Sequence, residues 1–250
     1  MTLRVPYIPD DVIERDAEAL LSEFSLARGV EVRPPIPIED IVEKHLRLCV
    51  EFDNLHARLG VPRQGLGIAP NIFGAIWFES GTIVIDESLD PEVHPEYEGR
   101  YRFTLAHEAG GHWRLHRPLV CPTGTQSLLP IPKARPNVVC RSSQAKERAE
   151  WQADFYASCL LMPRKMVFTA WDEAFPDRKP RVLQPEMPIK HPFVEIGRDF
   201  DGDQDQVLNS FARPFAERFL VSPLAMRIRL EKLGLLHRAV PRQRLLIEGF

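Results

Sequence analysis

The sequence has little that would place it in a specialised class. Its four cysteines (Cys49, Cys121, Cys140, Cys159) form no C-x-x-C pair, so neither a zinc knuckle nor a thioredoxin-like motif is written in it. No run approaches the roughly 18 apolar residues of a membrane span. The opening MTLRVPYIPDDVIERD has no apolar core of the kind a secretory signal needs, and a cytoplasmic protein with free thiols is expected. Charge of one sign is also missing: 32 basic against 35 acidic residues leave a formal charge of -3, which argues against nucleic acid or an anionic membrane as the main partner. There is no internal repeat. What remains is an ordinary globular composition, 44% hydrophobic and 27% charged over 250 residues, enough for a large domain or a domain with a smaller appendage.

Periodicity organises the chain. Ile13, Ala17, Leu20, Leu21 and Phe24 form one apolar stripe and predict a helix over 9–24. IEDIVEKHLRL reads as a second helix running into the strand-like LCVEF. NIFGAIWF and TIVID, joined by ESG, read as a β-hairpin whose second strand runs Thr82 to Asp86. TIVID is also expected to offer an open edge on which a peptide could add as a further strand. Pro118 is expected to stop the helix before it. Five prolines between 118 and 139 suggest a long loop, SSQAKERAEWQADFYASCLLMP a third helix, and 172–205 an irregular connector before a helical end.

The chemistry concentrates in RFTLAHEAGGHWRLHR. In the zinc-peptidase signature H-E-x-x-H, two histidines four apart on a helix face one metal and the glutamate activates water. Here His107 and His112 are five apart. On a regular α-helix five residues turn about 140° past one full turn, too far to share a ligand. A π-bulge, with i to i+5 hydrogen bonds, absorbs one extra residue and realigns the faces. Gly110 and Gly111, costly in a plain helix, stand where it would be needed. A competing pair, His112 and His116, is four apart but lacks a glutamate after its first histidine.

A catalytic zinc takes three protein ligands and keeps a fourth position open. The third helix offers Glu147, Glu150 and Asp154 on one face, and spacing alone does not choose among them. Asp154 could accept a hydrogen bond from a ligating histidine, and His116 and Tyr156 are candidate oxyanion donors. Cys121 and Cys140 flank the long loop; a thiolate there could fill the open position, but ordinary free thiols are the favoured reading because no ligand spacing supports it. The acidic run Asp199 to Asp205 fails the calcium-loop pattern, with Gln204 at the glycine position and Ser210 at the final glutamate.

RFTLAHE with HWRLH, then EWQADFYASCLLMP, then FAERFLVSPLAMRIRLEKLGLL resemble, in that order, the ImmA/IrrE family of zinc metallopeptidases. The resemblance is loose in the N-terminal helices and close over 71–163 and 208–236. It departs from the family at H-E-x-x-x-H, a spacing that dipeptidyl peptidase III also carries on a distorted helix. The resemblance implies an α+β fold: a zincin-like core over 1–170 with a small sheet and active-site helices, a connector over 171–206, and a C-terminal helix-turn-helix-like lobe over 207–250. It implies zinc held by His107, His112 and Glu150, with Glu108 taking the proton of an activated water. It also implies regulatory cleavage of one protein, a transcriptional repressor or antitoxin-like partner. The alternative is a non-catalytic regulator with a degenerate metal site. Eight Lys or Arg residues against three Glu from Arg213 onward make DNA contact through the lobe a further, less favoured reading.

Overall fold

The stripe of helix α1 (Asp10–Arg28) is buried as predicted, with Ile13, Ala17, Leu20, Leu21 and Phe24 all turned inward. In this computed structural model the fold is described for residues 3–61, 71–121, 136–141, 147–183, 189–191, 194–196 and 204–238. The proline-rich stretch 122–135, the expected helix start at Ser143, the acidic residues 199–203, and Arg242 and Arg244 lie outside them.

After α1 comes α2 (Ile38–Asp40), continued by a π-helical turn over Ile41–His45, and then strand β1 (Cys49–Asp53) and the short helix α3 (Leu55–Leu59). The hairpin forms as read: β2 (Ile72–Trp77) runs antiparallel to β3 (Thr82–Asp86), and Gly81 takes the left-handed conformation of the turn at φ 65°. A fourth strand, β4 (Val138–Arg141), pairs antiparallel with β2, and the sheet order is β1-β3-β2-β4.

This order corrects two readings. TIVID has no open edge, because β1 pairs parallel with β3 on the side away from β2. The unbroken run Ile83, Val84, Ile85, all fully buried, is what a strand between two neighbours needs on both faces. The end of the supposed loop is strand β4, which is the edge beside the hairpin among the described residues. Pro118 does not stop the helix either. It sits in the first turn of α5 (Arg117–Val120), where a missing N–H costs least.

Ile76, Ile83 and Ile85 face the main core, and Ala75, Trp77 and Val84 pack with Leu55 of α3 on the other face. A register irregularity in β2 bears on the site. Ile72 pairs with Arg141 and Gly74 with Cys140, leaving Phe73 as an extra residue that shifts the side-chain alternation, as a bulge does.

Helix α4 (Glu98–Ala106) packs on β2 and β3, α6 (Arg148–Leu161) packs on α4 and α1, and α7 (Arg164–Ala174) follows it. The stretch read as an irregular connector holds the end of α7 and the short strands β5 (Arg181–Leu183), β6 (Ile189–His191) and β7 (Val194–Ile196). Then α8 (Gln204–Phe219) packs on α9 (Pro223–Lys232), and β8 (Leu236–Arg238) pairs parallel with β5. Ser222 caps α9 by accepting from the Ala225 N–H at 3.1 Å. The C-terminal helices share the main core with α1 and α6. Trp171 stacks on Phe215 at 5.6 Å, and the buried Arg229 pairs with Glu14 and donates to the Met162 carbonyl at 3.0 Å. The described chain is thus a mixed α/β structure, dominated by helix, with a small mixed sheet. None of its helices is long and apolar enough to cross a membrane.

Candidate metal centre

Helix α4 does not end at Ala106 but continues as a π-helix over His107–His116. The distortion expected at the glycine pair is therefore present, and it covers ten residues, well beyond the single-turn bulge that one insertion requires. The glycines also serve packing. A Cβ on Gly111 would lie 2.4 Å from Cα and Cβ of Ala153, and one on Gly110 would lie 2.5 Å from the Tyr156 ring. Both residues are on α6, so the glycines let the π-helix and α6 approach to backbone contact.

That approach brings the predicted ligands together. His107 Nε2 and His112 Nε2 are 3.0 Å apart, and Glu150 oxygens lie 3.3 Å from the first and 3.5 Å from the second. Donors on one tetrahedral zinc, with bonds of about 2.0–2.1 Å, stand about 3.3 Å from one another. Of the three acids proposed on α6, Glu150 faces the histidines, Asp154 hydrogen-bonds His107 Nδ1 at 2.9 Å, and Glu147 is an exposed residue at the helix start.

Hydrogen bonds assign the imidazole tautomers. Gln152 Nε2 donates to the Pro6 carbonyl at 3.0 Å, so its Oε1 is the atom that meets His116 Nε2 at 3.0 Å. His116 Nε2 must then be the donor, which leaves His116 Nδ1 as the acceptor for His112 Nδ1–H at 3.2 Å. His107 Nδ1–H is likewise committed to the Asp154 carboxylate. Both Nε2 lone pairs consequently point inward, at each other and at Glu150. Fully buried, with His107 at 1% and His112 at 0% exposure, such a set is self-repelling unless a cation is shared among its members.

Without a metal, a proton takes the cation's place. Burial opposes protonation of His107, yet the charges and hydrogen bonds of Cys140, Asp154 and Glu150 outweigh it and raise His107 well above its ordinary value. Burial works against the Glu150 carboxylate too, but hydrogen bonding to the protonated forms of His107 and His112 holds it far below the usual carboxylate range, and a metal ion would displace those protons from Nε2. His112 is lowered, chiefly by burial. His116 is lowered by burial, and then by its charged neighbours, to about 4, so it stays neutral as the relay requires.

Glu108 lies beside this set and is fully buried. Neither carboxylate oxygen has a hydrogen-bond partner of full geometry among the described residues, although the Cys140 N–H favours its ionised form. Burial pushes Glu108 up to about 8, a range suited to moving a proton near neutrality. Its space comes from β2: a Cβ on Gly74 would lie 2.7 Å from Thr104 Cγ2 and 3.0 Å from Glu108 Oε1.

Two proposed roles find other surroundings. His116 is turned to His112 and Gln152 and fixes the His112 ring. Tyr156 has its hydroxyl buried without a hydrogen bond among the described residues, and the nearby charged groups that act on it are Asp16, Arg114 and Glu23, on the side of α1. Two further residues escaped the sequence reading, and a third was not favoured by it. Gly74 and Gln152 carried no motif. Cys140 was set aside for lack of spacing, yet its sulfur and ligand atoms of His107 and Glu150 all lie within 4.8 Å of one another, a group able to hold a metal ion. Compared with models of known protein families and with curated protein sequences, the chain gives no significant match.

Proposed function

We propose that the chain is a zinc-dependent endopeptidase of the ImmA/IrrE type, with His107, His112 and Glu150 as ligands and Glu108 as general base, and that it acts in regulation by cutting one protein partner, a transcriptional repressor or antitoxin-like regulator. The observation that carries this reading is the convergence of two imidazole Nε2 atoms and a carboxylate beside the fully buried Glu108. Residue types and spacing both fit zinc. When bound, zinc supplies Lewis acidity, which acidifies a water molecule and polarises a scissile carbonyl.

The chain's own groups do the rest. Glu108 takes the water's proton and returns it to the leaving amine. Asp154 and the His116–Gln152 relay hold the two imidazoles in the tautomers that expose Nε2. The ordered resemblance of three motifs supports the family and the substrate class. The non-catalytic alternative has less support, because the extra residue in HEAGGH leaves the donor set assembled. DNA contact also has less support. In the C-terminal helices Arg218, Arg227, Arg229, Lys232 and Arg238 are each ion-paired with an acidic side chain, so they do not present a free cationic face.

The test is Glu108→Gln. Added to cell extract, zinc-loaded wild type should generate new protein N-termini, whereas the variant should bind the same zinc and cut about 10²–10⁴-fold more slowly. Cleavage surviving in the variant would contradict the assigned base. No new N-termini from zinc-loaded wild type and none from zinc-loaded Cys140→Ser would contradict the peptidase reading.

A further inference from the structure

Three protein donors leave a tetrahedral zinc one position short, and the position is open in catalytic sites and filled in structural ones. Strand β4 passes the centre at this point. In the β2–β4 ladder Cys140 stands directly opposite Gly74, and side chains of opposed residues lie on the same face of a sheet. The missing Cβ of Gly74 defines that face, because it would run into Thr104 and Glu108. Cys140 is therefore turned toward the π-helix, over the space that glycine leaves. The register irregularity at Phe73 lies beyond this pair and leaves Cys140 opposite Gly74.

We propose that Cys140 is a fourth ligand of the metal centre, delivered by β4, and that its thiolate holds the resting site closed to water. The proposal rests on the reading of His107, His112 and Glu150 as zinc ligands. Its own support is the grouping of the Cys140 sulfur with donor atoms of His107 and Glu150 within 4.8 Å. A sulfur and a nitrogen on one tetrahedral zinc are about 3.5 Å apart, given bonds of about 2.3 Å and 2.0 Å. The sulfur is thus within about 1.3 Å of ligand spacing from His107 and from Glu150; His112 stands outside that grouping. The other cysteines do not compete: Cys49 and Cys121 are exposed, and the buried Cys159 receives a hydrogen bond from Arg229 at 3.4 Å.

Latency follows from the ligand count. A thiolate in the fourth position leaves no place for the water that Glu108 would deprotonate, so hydrolysis requires the sulfur to move away. Its carrier is suited to this. β4 is a four-residue edge strand held, among the described residues, by β2 alone, and short edge elements open more readily than central ones.

X-ray absorption at the zinc edge, on the zinc-loaded full chain and on Cys140→Ser, tests the assignment. The wild type should show one sulfur at about 2.3 Å with nitrogen and oxygen at about 2.0–2.1 Å. The variant should keep one zinc per chain, lose the sulfur, and generate new N-termini in cell extract faster than wild type. One zinc per chain with a purely nitrogen and oxygen shell in the wild type would overturn the role of Cys140 and leave the three-ligand reading standing. No zinc in either protein would overturn both. If Cys140→Ser fails to fold, alkylation of the wild type by iodoacetamide replaces it. Cys140 should react only after chelation, with Cys49 and Cys121 reacting throughout. Equal reaction of Cys140 before and after chelation would overturn the proposal.

Discussion

Helix α6 and the π-helix put metal-site chemistry on one face by different backbone arithmetic. On α6, Glu150 and Asp154 are four apart on a regular helix, and both reach His107. On the π-helix, His107 and His112 are five apart and still meet at 3.0 Å. The regular helix takes its site from sequence spacing alone. The wide one needs support from outside itself, because glycines at 110 and 111 weaken it locally and the contact with Ala153 and Tyr156 holds it. A ligand spacing that is wrong for one helix geometry is right for another, provided that neighbouring packing selects that geometry.

Deleting Gly111 attacks this comparison most strongly. It restores H-E-x-x-H in sequence, but it shifts His112 and the relay residue His116 by one position and removes a contact surface for α6. Stoichiometric zinc should be lost, a larger effect than the roughly 10–100-fold that a supporting residue commands. Tighter zinc in the shortened protein would show that the insertion is a defect and that the π-helix is incidental.

The regular helix gives the next largest effect. Asp154→Ala should weaken zinc binding about 10–100-fold, as loss of a carboxylate that orients a ligand does, and competition with a chelator of known affinity measures it. Glu147→Ala, at an exposed position on the same helix, should leave the affinity unchanged. Equal losses in both variants would mean that general acidity, and not the hydrogen bond to His107, sets the affinity.

Gly110→Ala sharpens the contrast at the level of stability. Helix propensity favours alanine by up to about 1 kcal/mol. A Cβ at 2.5 Å from the Tyr156 ring is overpacking, which costs about 1–3 kcal/mol. A fall in the denaturation midpoint is expected, and a rise would mean that the helices do not touch closely there.

The same contrast governs how much could be read in advance. The stripe of α1 and the strand limits Thr82–Asp86 follow from local rules, and they stand where those rules put them. Local spacing put Glu147, Glu150 and Asp154 on one face without choosing among them, Glu150 was singled out by the resemblance, and the paired glycines announced the distortion at HEAGGH. The hidden features are relations between segments distant in sequence. The partner of TIVID lies some 30 residues upstream, so its central place in the sheet had no local mark. Gln152 matters through Pro6 and His116, Gly74 through Glu108, and Cys140 through its pairing with Gly74. Each is a single ordinary residue until the sheet and the two helices are brought together.

The most direct measurement is zinc per chain on purified wild type beside His112→Ala and Glu150→Ala. One zinc per wild-type chain, lost in both variants, is the expected result and would mean that the π-helix and α6 close on one metal. Wild type that stays free of zinc after metal is supplied, or a His112→Ala protein that keeps its zinc, would contradict it.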